Sequence, residues 1–145
     1  MTVPKISVRN LQRKISVNVA ELERFSKYAV QHSLQLPKRR RTDLRKLSEI
    51  FIGLISDRRM ALLHRKFLGQ SGPTDVLTFQ HGEIFISVDT ARRHAHAFQS
   101  SLLRELKLYI AHGLLHLHGF DDETPSESHK MKAAQEKILR NCCAL

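Results

Sequence analysis

His112 and His116 stand four residues apart inside Leu102 to Leu117, a run rich in helix formers and free of proline. A helix there places both imidazoles on one face, one turn apart, where they can reach a single ion. Gly119 follows, at a point where helices commonly stop in a left-handed conformation that glycine enters without steric cost. Past that turn the chain can swing back and carry Asp122 towards the two histidines. Two imidazole nitrogens and one carboxylate oxygen leave a fourth position open, which describes a catalytic zinc site holding one Zn2+ per chain; structural sites fill all four positions from protein. The spacing His-x-x-x-His-x-x-Gly-x-x-Asp follows the three-ligand pattern of metzincins, with aspartate in the third place. Zinc peptidases of the His-Glu-x-x-His type carry their general base directly after the first histidine. Here that position is Gly113, so a metal could polarise an oxygen or activate water but the peptidase base is missing.

Other polar residues near the motif read more simply. His118 lies two residues from His116, off the ligand face, and reads as a partly exposed histidine or a substrate contact. His129 reaches the metal only by a chain path that the spacing does not suggest. Asp121 and Glu123 flank the third ligand; either could accept a proton from a ligating imidazole, or be a polar turn residue. Adjacent Cys142 and Cys143 lack zinc-ligand spacing and form no disulfide framework, so they read as tail residues.

Charge points to the partner. The 145 residues carry 24 Lys and Arg against 14 Asp and Glu, a formal net charge of +10. Such an excess favours polyanions through counterion release and steering, although a basic protein with no nucleic-acid role has the same composition. A metal site beside that charge shifts the weight to a phosphodiester substrate. The dense cluster Lys38-Arg39-Arg40-Arg41 and the pair Arg92-Arg93, with His94 and His96 nearby, are the candidate RNA contacts. No signal peptide or membrane-length apolar span is evident, and a cytoplasmic location is expected.

These residues must be positioned by a core. Ile6 to Val8 and Ile15 to Val17 alternate like short strands, and Leu47 to Ile55 reads as a buried one. Asn18 can cap a helix from Val19 to His32 whose apolar stripe is Leu22, Phe25, Ala29 and Val30. Asp57 begins another helix with Met60, Leu63, His64 and Phe67 at helical spacing, closed by a loop from Gly69 to Pro73. Val76 to Phe79 and Ile84 to Val88 are β-rich runs joined by a His81-Gly82 turn. Asp89 is placed to cap a short helix ending near Phe98. Thr124, Pro125 and Glu127 spell the start of a last helix with Met131, Ala134, Ile138 and Leu139 on its apolar face. The expected architecture is a single α/β domain spanning residues 1–145, with a small mixed sheet packed by several helices.

Three segments together resemble a known family. Pro73-Thr74-Asp75-Val76-Leu77-Thr78-Phe79, then Gly82-Glu83-Ile84-Phe85-Ile86-Ser87, then the histidine motif are similar to the YbeY family of bacterial metal-dependent endoribonucleases. The resemblance runs from about Leu47 to the final helix. It implies a four-stranded mixed sheet, a zinc site, and a role in maturing ribosomal RNA at the small-subunit 3′ end and in ribosome quality control. It also implies two departures: Asp122 stands where the family has a third histidine, and Leu68 in Phe67-Leu68-Gly69 stands where it has an arginine. Arg65, one turn earlier, is the candidate substitute at the active site. An anionic third ligand leaves less net positive charge on the metal, hence a weaker Lewis acid. Three functions remain in view. They are a metal-dependent single-strand endoribonuclease, a ribosome-associated RNA-binding protein with a structural metal, and, least favoured because of Gly113, a metallopeptidase.

Overall fold

The computed structural model describes residues 3–37, 44–70, 72 and 74–143. Four strands form one sheet in the order β1-β2-β4-β3: β1 is Lys5–Asn10, β2 Glu49–Ile55, β3 Val76–Phe79 and β4 Glu83–Ser87. β1 and β2 pair in parallel, as do β2 and β4, while β3 closes the edge antiparallel to β4. The mixed α/β sheet expected from the sequence is present. The parallel pairs need crossovers, and helices supply them: α1 (Val19–Leu34) joins β1 to β2, and α2 (Asp57–Leu68) follows β2. Beyond the sheet come α3 (Val88–Ala97), α4 (Leu102–Leu117) and α5 (Pro125–Cys143).

The period-2 pattern decides which side of each strand is core. Ile6, Val8, Ile50, Ile52, Leu54, Ile84 and Ile86 point to one face, where Leu22, Phe25 and Ala29 of α1 meet Leu106, Ile110 and Leu114 of α4. Met131, Ile138 and Leu139 of α5 complete that cluster. α4 is apolar on nearly every side because it lies between the sheet and the other helices. On the opposite face Met60 and Leu63 of α2 pack on Ile55 and Leu77, with Phe79 and Phe85 partly buried beside them.

Several expected features change. Ile15 to Val17 is not a strand. The Gln12 side chain bonds both Ile15 N and Ile15 O, at 2.9 and 2.6 Å, so this backbone is satisfied locally and needs no partner strand. Asp89 does not cap its own helix. Ser87 does, accepting from Thr90 N, while the Asp89 carboxylate accepts from Asp57 N and so caps α2. Asp57 in turn takes hydrogen bonds from Ser87, Thr90 and Arg93. Burial pushes the Asp57 pKa up, but those three donors outweigh it and the net shift is downward. Cys142 is no loose tail residue: it lies in α5 and packs into the main core.

Candidate metal centre

α4 carries His112 and His116 on the turn nearest the β3 edge, and the cause is the helix period together with Gly113. A Cβ on Gly113 would lie 2.9 Å from both Ile84 Cδ1 and Ile84 Cγ2, so glycine lets α4 seat directly on β4. The missing peptidase base is therefore also a packing requirement. After Leu117 the helix ends through Gly119, whose φ of +99° is in the glycine-favouring region. Gly119 N bonds His116 O and Phe120 N bonds Leu115 O, reversing the chain so that Asp122 returns to the histidines.

The three ligand candidates converge as the spacing anticipates. His112 Nε2 and His116 Nε2 are 2.9 Å apart, and the Asp122 carboxylate oxygens lie 3.6 Å from the first and 3.9 Å from the second. Ligands at zinc–nitrogen distances in tetrahedral geometry are about 3.3 Å apart, a value these edges bracket. His112, His116 and Asp122 can hold a metal ion.

The remaining ring nitrogens fix the tautomers. His112 Nδ1 lies 2.7 Å from Gln135 Oε1 on α5, and His116 Nδ1 lies 3.1 Å from Phe120 O. Both partners are acceptors, so both Nδ1 atoms carry the proton and both Nε2 lone pairs face each other. Two lone pairs at 2.9 Å repel, and a cation in front of them relieves the repulsion. Burial pushes the His116 pKa down, His112 pushes it further, and the Asp122 charge opposes both. The net direction keeps His116 neutral, the form that ligates metal.

An open cleft of about 230 Å³ lies before the histidines, lined by Leu68, Val76, Leu77, Thr78, Gln80, His112 and His116. Leu68 thus stands in the wall of the site, and Arg65 is exposed on α2 outside that lining. His118 differs from expectation: it is fully buried, with Nε2 2.7 Å from Leu36 O, its ring stacked on Phe120 and its Nδ1 without a hydrogen-bond partner among the described residues. It anchors the motif turn to the end of α1. Asp121 accepts from Asp122 N and shapes the ligand loop, while Glu123 and His129 are exposed. The residue that orients His112 is Gln135, which the sequence reading missed; only its place on the inward side of α5 marks it.

The basic candidates divide. Lys38, Arg39, Arg40 and Arg41 lie outside the described residues. Arg93 is engaged by Asp57, with Nη1 2.6 Å from the carboxylate, whereas Arg92 is exposed and, with Arg93 and His96, borders a separate shallow hollow on α3.

Comparison with known proteins accords with this geometry. A family model described as Endoribonuclease YbeY matches residues 7–142. The chain belongs to the YbeY family. An Endoribonuclease YbeY from Anaeromyxobacter sp. (strain Fw109-5) is 38% identical over 103 residues, covering 64% of this chain and 54% of that protein. One from Thermus thermophilus is 36% identical over 123 residues, covering 72% of this chain and 88% of the relative. For the first of these, as for other YbeY relatives, the matched length is only about half of the relative. A solution structure of a Thermotoga maritima protein shares the fold, with a TM-score of 0.60 at 23% identity and coverage of 96% and 92% of the two chains. Among the described residues, no helix is long and apolar enough to cross a membrane.

Proposed function

We propose that the protein is a cytoplasmic, zinc-dependent, single-strand-specific endoribonuclease that acts on ribosomal RNA, at the small-subunit 3′ end, in rRNA maturation and ribosome quality control. The observation that carries this reading is the convergence of His112 Nε2, His116 Nε2 and the Asp122 carboxylate beside an open cleft. Family membership supports the nuclease activity.

His112, His116 and Asp122 would hold the ion through Nε2, Nε2 and a carboxylate oxygen. When bound, Zn2+ supplies positive charge against the negative charge that grows on a phosphoryl group or an attacking water. Gln135 and Phe120 O keep the imidazole protons on Nδ1 and hold the rings still. Thr78 and Gln80 offer hydrogen bonds to substrate oxygens from the β3 wall. Arg92 and the cluster Lys38 to Arg41 hold the RNA backbone, with Arg65 as a further cation beside the site.

Leu68 favours a second reading, an RNA-binding protein with a structural metal, because among the described residues no lysine or arginine lines the cleft. Incubating the protein with single-stranded small-subunit 3′-end RNA, with chelator and after zinc is restored, separates the two. Chelator-sensitive cleavage that zinc restores supports the nuclease; binding without cleavage moves the assignment to the second reading.

A further inference from the structure

We propose that the open face of the sheet carries a base-stacking platform for unpaired RNA, centred on Phe67, Phe79 and His81, beside the metal cleft; this rests on the ribonuclease reading. The core-facing side of each strand is packed, and among the described residues α2 covers one end of the other side. Beyond Met60 and Leu63 a chain of rings continues. Phe67 meets Phe79 edge-on at 5.3 Å, Phe79 meets Phe85 at 6.1 Å, and Phe85 meets Phe51 at 6.0 Å. His81 lies nearly parallel to Phe79, at 5.9 Å and 26°. Gly53 makes the convergence possible, since a Cβ there would lie 3.0 Å from both the Phe51 and Phe85 rings.

Phe67 is 54% exposed, as is its neighbour Leu68, which an aromatic serving only as core would not be. Such rings accept any base, because every base has a flat π face. The surrounding charge suits a polyanion. Lys66 Nζ lies 5.4 Å from the Phe67 centroid, and Lys5 and Arg9 project from β1 on the same face. Glu49 and Glu83 also lie there, and Glu83 is paired with His81. An interface with a second copy would be depleted of charge at its centre, whereas here a lysine sits over the Phe67 ring.

The platform is continuous with the metal cleft. Thr78 and Gln80 line the cleft while Phe79 between them faces the rings, and Leu68 lines the cleft while Phe67 belongs to the platform. The divider is β3, the edge strand. A single strand laid over this edge stacks its bases on Phe79, Phe67 and His81 and presents its phosphates to His112 and His116. Duplex RNA has its bases already stacked, so the same surface selects unpaired substrate.

The test measures affinity of the full chain for a short fluorescent single-stranded RNA and for an abasic strand of equal length. Phe67→Ala is expected to weaken the base-bearing strand roughly five- to hundredfold, with abasic binding and the salt slope unchanged. Phe67→Trp is expected to restore it. Equal affinity of Phe67→Ala and parent for the base-bearing strand overturns the proposal, as does an equal loss on both strands. It also fails if Phe67→Ala only converts a dimer to monomers in sedimentation, which would assign the face to a second copy. A parent that binds no RNA ends the ribonuclease reading along with this one; a parent that binds or cleaves RNA while Phe67→Ala does not differ removes the platform alone.

Discussion

Gln135 accepts a hydrogen bond from His112 Nδ1 at 2.7 Å, so the last helix sets the tautomer of a candidate metal ligand 23 residues away. Gln135 is buried. Gln135→Ala should lower metal affinity about 10- to 100-fold. Competition with a chromophoric chelator measures this, and Gln135→Glu, which keeps an acceptor, should recover most of it. Parent-like affinity in the alanine variant would show that His112 is oriented by packing alone.

Asp122 provides the direct test of the ligand set. Asp122→Ala leaves two protein ligands, and elemental analysis should find much less than one metal per chain after dialysis. Asp122→His should retain metal and raise the net charge at the site by one unit, making bound water more acidic and shifting the cleavage plateau to lower pH. If both variants hold metal and cleave like the parent, Asp122 is not a ligand.

Gly113→Ala pits two effects against each other. Alanine gains up to about 1 kcal/mol of helix propensity, but its Cβ meets the branched, fully buried Ile84 side chain at 2.9 Å. Overpacking of this kind costs about 1–3 kcal/mol, so net destabilisation is expected. Chemical denaturation reads it directly, and Ile84→Val in the same chain should relieve part of the loss. A variant as stable as the parent would mean that α4 lifts from β4 without cost.

Glu21 links stability to pH. Hydrogen bonds from Arg24 and Lys107 lower its pKa to about 2, from an ordinary 4.5, although partial burial works the other way. A carboxylate depressed in the folded state stabilises fully above its unfolded pKa and loses that contribution as pH falls through the folded value. The contribution of Glu21 should therefore fade between about pH 5 and pH 2. Glu21→Gln should cost about 1 kcal/mol at neutral pH, discounted because Glu21 is partly exposed, and should flatten the stability curve across that acid window. An unchanged acid slope would mean that Lys107 finds compensation elsewhere.

Features that depend on one short stretch were legible in the sequence. Asn18 accepts from Glu21 N as its cap, and Thr124 accepts from Glu127 N at the start of α5. The i, i+4 spacing placed His112 and His116 together, and Gly119 supplied the return to Asp122. What stayed hidden depends on partners distant along the chain. Asp89 has the chemistry of a local cap but is used by α2, 32 residues away. His118 looked like a surface residue because nothing near it shows that Leu36 O waits 82 residues upstream. Gln135 is one polar residue among many on α5 until the helix is docked. The aromatic face was likewise invisible, because Phe51, Phe67, Phe79 and Phe85 come from four separate elements.

The Asp89 cap on α2, with the Asp57–Arg93 pair beside it, gives α2 the mechanics of a beam clamped at one end. Its first turn is tied to α3 by the Asp57 N–Asp89 bond and the Arg93 pair. Its far end, at the close of this 12-residue helix, carries Phe67 and Leu68. At about 1.5 Å per residue the lever is about 18 Å long, so a tilt of about 5° at the clamp displaces the tip by about 1.5 Å. That tip forms one wall of the cleft on one side and carries the half-exposed Phe67 ring on the other. Loosening the clamp, as Asp89→Ala would do, should therefore change how wide the cleft opens without touching any residue that lines it.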